Sequence, residues 1–161
     1  MKRYDHLYEK IYDLENLRKA HQHAKKGKGW YREVQEIDKE PDKYLKQIQE
    51  MLINHTYKTS DYEVFYKQDG KKLRKIYKLP YFPDRICQWA ILQVIELCII
   101  NNLTADTYSA IPNRGIHKGL TKLQTAMWND PEECKYCLKL DARHYYLSLI
   151  HISEPTRLGM I

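Results

Sequence analysis

Asp141 follows an alternating apolar and polar run, Cys137-Leu-Lys-Leu140, and lies inside the octapeptide Lys139-Leu-Asp-Ala-Arg-His-Tyr-Tyr146. Alternation at period two is the pattern of a half-buried strand, so a strand is predicted to present Asp141 at its end. A carboxylate placed there can ligate a hard cation, or it can cap the helix or turn that follows; the octapeptide alone leaves both open. Tyr145 and Tyr146 put an aromatic pair immediately downstream.

A second kind of chemistry lies in the cations. Arg18, Lys19, Lys25, Lys26, Lys28 and Arg32 follow one another without an Asp or Glu between them, and Trp30 and Tyr31 interrupt the run. Lys67, Lys71, Lys72, Arg74, Lys75, Lys78 and Arg85 form a second cluster opposed only by Asp69 and Asp84, and Arg114, Lys118 and Lys122 form a third. Any one run could be a solvated helix face. Three of them, in a chain of net charge +6 with fourteen tyrosines, fit a polyanion whose phosphates meet Lys and Arg and whose bases meet aromatic faces.

Other candidate motifs carry less. Cys134-Lys-Tyr-Cys137 is a single CxxC without a second pair at zinc spacing. His21 and His23 stand two residues apart, which on a helix turns them to different faces. Gly27-Lys-Gly29 lacks the rest of a phosphate-binding loop and reads as a flexible basic linker.

The elements that must position these groups follow from periodicity. Tyr4, Leu7, Tyr8, Ile11, Leu14 and Leu17 recur at three- and four-residue steps and predict one amphipathic helix running into the basic segment near Gly27. A second helix is expected over residues 31–38, and a third from Pro41, with Leu45, Ile48, Met51 and Leu52 inward. At Tyr62 the period changes to two, and Asp69-Gly70 between two β-like runs signals a hairpin that carries the second basic cluster. Pro80 and Pro83 end it. Asp84 is a predicted N-cap for a helix to about Ile100, with Ile86, Ala90, Ile91, Val94, Leu97 and Cys98 as its buried stripe. Residues 104–111 read as loop or short strand, Pro112-Asn-Arg-Gly115 as a turn, and residues 116–127 as a helix with Leu120 and Leu123 inward, stopped by Asn129-Asp-Pro131.

A chain of 161 residues with 43% hydrophobic content can bury a core. No apolar run approaches the roughly 20 residues of a membrane span. The longest, residues 94–100, is broken by Glu96, and the N-terminus is charged rather than signal-like. Four cysteines make no disulfide scaffold, so a reducing, cytoplasmic setting is expected, without membrane association.

The order of parts (basic helices, a basic hairpin, Leu79-Pro-Tyr-Phe-Pro-Asp-Arg85 opening a helix, Ile111-Pro-Asn-Arg-Gly-Ile-His117, then Lys139-Leu-Asp141) resembles the reverse transcriptase family. The likeness covers residues 73–146 and looks closest to the bacterial and phage enzymes of the diversity-generating and group II intron types. It implies an α+β fold: a helical N-terminal region over residues 1–60, fingers with a basic β-hairpin and helices over 61–133, and the first strand of a truncated palm over 134–146. It also implies RNA-directed DNA polymerisation by two Mg2+ ions roughly 3.5 to 4 Å apart. Asp141 matches the first catalytic carboxylate, and the carbonyl of Ala142 is a further implied metal ligand. Arg85, Lys75 and Arg74 match positions that hold the triphosphate, with Arg74 and Lys75 undecided by one residue. Tyr146 matches an aromatic under the nucleotide sugar, and Arg114 and His117 match a segment on the template backbone. The implied partners are an RNA template, a DNA primer, deoxynucleoside triphosphates and an accessory protein of the retroelement.

Beyond Tyr146 the pattern departs from that family. Leu147-Ser-Leu-Ile-His-Ile-Ser-Glu-Pro-Thr-Arg157 resembles the in-frame translation of a sequencing-library adapter, so residues 147–161 are expected to be a non-native tail. The family's aromatic-x-Asp-Asp motif appears nowhere in the chain. The expectation is therefore the N-terminal part of a polymerase, inactive by itself; the alternative is a non-enzymatic basic nucleic-acid-binding module.

Overall fold

The computed structural model describes residues 4–141. Ala142, Tyr146 and the tail expected over 147–161 lie outside the described residues. Helices and one two-stranded antiparallel sheet make a mixed α+β chain that divides into two compact units, residues 1–105 and 106–161. The boundary falls inside the segment 61–133 expected from the sequence.

The first unit opens with α1 (Leu7–Tyr12) and α2 (Leu14–Lys25), where one continuous helix was expected. Asp13 makes the break. Its backbone leaves helical geometry (φ −56°, ψ 132°), and its carboxylate accepts from the N–H groups of Glu15 at 3.1 Å and Asn16 at 3.2 Å, satisfying donors a new helix start leaves open. Helices α3 (Arg32–Lys39) and α4 (Pro41–Ile53) follow as expected, with Pro41 at the first position, where its missing N–H removes no helical bond.

Strands β1 (Glu63–Asp69) and β2 (Lys72–Lys78) pair from Glu63 with Lys78 to Asp69 with Lys72, which leaves a two-residue loop, Gly70 and Lys71. Gly70 takes a positive φ of 60° and Lys71 does not, the arrangement in which a glycine at the first loop position matches the strand twist. Most residues on both faces of this hairpin are solvent-exposed.

A kinked turn over Tyr81–Arg85, with a cis Phe82–Pro83 bond, leads into α5 (Ile86–Asn102). Asp84 does not cap that helix. It is fully buried, and its Oδ1 accepts from the Tyr57 hydroxyl at 2.7 Å and the Ser60 N–H at 3.2 Å, so it ties the chain before the hairpin to the chain after it. The adjacent Cys87 thiol is pushed up to about 12, by burial first and then by the Asp84 charge, which makes it a small hydrophobe rather than a nucleophile.

The core gathers Leu17, Ala20 and Ala24 of α2, Val34 and Ile37 of α3, Leu45, Ile48 and Leu52 of α4, Tyr81, and Ile86, Cys87 and Ala90 of α5. Helix α2 packs most extensively on α5, where Ala20, Ala24 and Ala90 are small enough for close approach. Asn16 locks the pair by donating Nδ2–H to the Ala90 carbonyl at 3.1 Å. The expected buried stripe of α5 extends too far: Ile86 and Ala90 are buried, Val94 and Cys98 half-buried, and Ile91 and Leu97 exposed. Residues 94–100 are apolar nearly all round, so periodicity marks no side, and α1, six residues long, is too short to cover that half.

In the second unit, α6 (Ile116–Asn129) buries no residue, and Leu120 and Leu123, expected inward, are exposed. Asp106 accepts from the Tyr108 hydroxyl at 2.8 Å and from Lys122, and the Tyr108 ring lies against Gly119, where a Cβ would meet it at 3.0 Å. The turn at Pro112 and Asn113 forms as expected, and residues 104–111 form no strand. Neither do residues 137–140. A strand exists through lateral hydrogen bonding, and among the described residues none runs beside this segment, which leaves Leu138 and Leu140 exposed. Among the described residues no helix is long and apolar enough to cross a membrane.

Candidate nucleic-acid interface

Four cations of the first unit, Lys28, Arg32, Lys78 and Arg85, line a groove between the start of α3 and the base of the hairpin. Its inner part, about 300 Å3, is lined by Lys28, Tyr31, Glu33, Phe65, Lys78 and Arg85 among others. Its outer part, about 520 Å3, shares Tyr31, Glu33, Phe65 and Lys78 and adds Trp30, Arg32 and Glu63, so the two are continuous.

The segment that supplies Lys28 and Trp30, expected as a flexible basic linker, forms a hydrogen-bonded turn. Gly27 turns the chain with φ 72°, Lys28 N–H donates to the Lys25 carbonyl at 2.8 Å, Tyr31 N–H donates to the Lys28 carbonyl at 2.9 Å, and Gln35 donates to the Gly29 carbonyl at 3.2 Å. These bonds hold Lys28 at the inner end. Burial, and then repulsion from Arg85, lowers the Lys28 ammonium below the ordinary lysine range. Lys78, by contrast, is raised by its hydrogen bond from Nζ to Glu63 at 3.0 Å. Arg85 is exposed and donates to Gln88 at 3.3 Å.

Sequence reasoning missed the network behind this wall. His21 is buried on α2, with Nε2 2.8 Å from Asp38 and Nδ1 2.9 Å from the Tyr81 hydroxyl. A carboxylate only accepts, so Nε2–H donates to Asp38, and the Tyr81 hydroxyl sits between Nδ1 and the His21 carbonyl, 3.3 Å away. Burial works to raise the Asp38 carboxyl, but hydrogen bonds from Lys25 and His21 outweigh it and hold it below the ordinary range. Tyr81 is fastened at both ends, since its backbone N–H donates to Glu33 at 2.8 Å. The turn that carries Arg85 is thereby anchored to α2 and α3. The available signal was position: His21 falls four residues after Leu17 and three before Ala24 on the buried face, where a polar ring must find partners. His23 is exposed, its ring 5.2 Å from that of Trp89.

The hairpin separates the two residues that the sequence left undecided. Directly opposed residues share a face, so Arg74 and Lys67 lie on the side of Phe65 and Ile76, which line the inner groove. Lys75 lies on the other side with Tyr66, its Nζ 5.2 Å from the Tyr77 ring centre. Arg74 is paired with Asp69 at 2.6 Å. Of the three expected triphosphate residues, then, Arg85 lines the groove, Arg74 shares its face, and Lys75 points away.

Arg114, His117 and Asp141 belong to the second unit. Arg114 is half-buried, with its N–H donating to the Ile111 carbonyl at 3.1 Å, while His117 is exposed in the first turn of α6. Asp141 is exposed and belongs to no strand or helix. A two-Mg2+ site needs several carboxylates on one rigid frame, and no cluster of three His, Cys, Asp or Glu side chains suited to a metal occurs among the described residues, the Cys134 and Cys137 pair included. The residues described do not fit that site. A scan against protein-family models finds none that matches the chain, and a search of curated proteins finds no match to it.

Proposed function

We propose that the chain is the nucleic-acid-binding fingers portion of an RNA-directed DNA polymerase, engaging a primer–template through its basic groove and hairpin. The observation that carries this reading is the groove itself, lined by Lys28, Arg32, Lys78 and Arg85 in front of the Tyr81, His21 and Asp38 network. Cations already gathered along one groove bind a polyanion at little cost in reorganisation. In this reading Arg85, with Arg74 on the same hairpin face, meets the triphosphate, and Arg114 and His117 meet the template backbone, contacts that position a strand without reading its sequence.

Asp141 enters as the first palm carboxylate by resemblance alone. The activity assigned to this chain is binding, which the groove residues can supply by themselves.

Anisotropy of a labelled RNA–DNA primer–template, together with a primer-extension assay in Mg2+, tests the assignment. Binding without sequence preference is expected, unchanged in Asp141→Asn, with no extension product. Extension by the chain would overturn the assignment of binding alone, and a lack of any binding at low salt would overturn the reading as a whole.

A further inference from the structure

The outer groove differs from its inner end in what lines it. Trp30 is 75% exposed although it sits in a loop braced by backbone hydrogen bonds, and it contacts Tyr31 edge to face with ring centres 4.2 Å apart at 88°. An indole so placed adds little to the core, yet it is held in orientation. Phe65 lines the same space from the hairpin. Lys28 at the inner end and Arg32 at the outer end stand two residues either side of Trp30.

We propose that the outer groove is a stacking site for an unpaired base of single-stranded nucleic acid, with Trp30 as the platform and Lys28 and Arg32 as partners of the flanking phosphates. The proposal rests on the nucleic-acid reading above and names the form of strand the groove takes. Three features support it. Four cations, Lys28, Arg32, Lys78 and Arg85, line the groove against two carboxylates, Glu33, which accepts the Tyr81 N–H, and Glu63, which holds Lys78; Arg32 also lies 3.6 Å from Glu36 at the rim. The charge that remains suits a phosphate backbone. The space, about 520 Å3, lies within the range of sites that hold a nucleotide-sized group. Paired bases, finally, are stacked on one another and present only their edges, so a lateral aromatic platform is open to an unpaired base and closed to a duplex.

The test compares the full chain with Trp30→Ala and Trp30→Phe, using a short unstructured oligonucleotide of mixed sequence, its duplex with the complement, and a nucleoside triphosphate. Because Trp30 is exposed, its truncation should leave folding intact, which circular dichroism checks. Trp30→Ala is expected to weaken single-strand binding about 10-fold, leave duplex binding unchanged within about 2-fold, and be rescued by Trp30→Phe. Equal loss for single strand and duplex, or no loss for either, would overturn the stacking site. So would a triphosphate whose affinity depends on Trp30 as strongly as the oligonucleotide's does, since that would make this a mononucleotide pocket. If the unaltered chain binds neither strand form, the nucleic-acid reading fails first, and this result is distinct from the others.

Discussion

Leu17→Ala is expected to lower the unfolding free energy of the first unit by about 3 kcal/mol, the usual cost of removing a fully buried leucine and leaving a partial cavity. Leu17 has no exposed surface and sits in the one cluster to which α2, α3, α4 and α5 all contribute. Loss of its side chain removes contacts from several helices together, and the alanines beside it cannot expand to refill the space. Leu120→Ala and Leu123→Ala should change stability by less than about 0.5 kcal/mol, because both side chains are already in solvent. Trp89 gives a probe for urea titration, since it is half-buried against the core while Trp30 and Trp128 are exposed. A cost for Leu17→Ala below about 1 kcal/mol would contradict this description of the core.

The largest effect on binding is expected from reversing the two cations at the inner end of the groove. Lys28→Glu combined with Arg85→Glu should weaken primer–template binding about 100-fold at low salt and make the logarithmic salt dependence shallower by about 2, one for each lost phosphate contact. Both side chains lie outside the core cluster, so the unfolding midpoint should barely move. Both residues line the same inner groove, so the single variants should not sum to the double. Lys75→Glu is the contrast. Its side chain lies on the opposite hairpin face and should cost less than either groove substitution. A greater loss from Lys75→Glu than from Arg85→Glu would move the binding surface to the other side of the hairpin.

Local signals were legible in the sequence where the chemistry was local. Pro41 fixed a helix start, and Asp69-Gly70 announced the hairpin, because each constrains its own backbone. The choice between Arg74 and Lys75 needed the strand register, which places them on opposite faces. The cap expected at Asp84 does not form, and one forms at Asp13, which the apolar periodicity did not single out. Asp13 caps a helix inside an apolar repeat that looked continuous, while Asp84, which sits at a typical cap spacing, is drawn inward by Tyr57 and Ser60. Partners 27 and 24 residues away leave no mark on periodicity. The same holds for His21, whose Tyr81 partner is 60 residues distant. The strand expected before Asp141 shows the opposite limit: alternation marks a segment able to pair but does not supply the neighbour that pairing requires.

The groove and hairpin of the first unit are expected to bind the phosphate backbone of a nucleic acid. The most direct test is the affinity of the full chain for an RNA–DNA primer–template measured across a series of salt concentrations. Four phosphate contacts, each releasing about 0.9 of a counterion, give an expected slope of log affinity against log salt of about −3 to −4, the same for unrelated sequences. A slope near zero, or a strong preference for one sequence, would contradict that expectation.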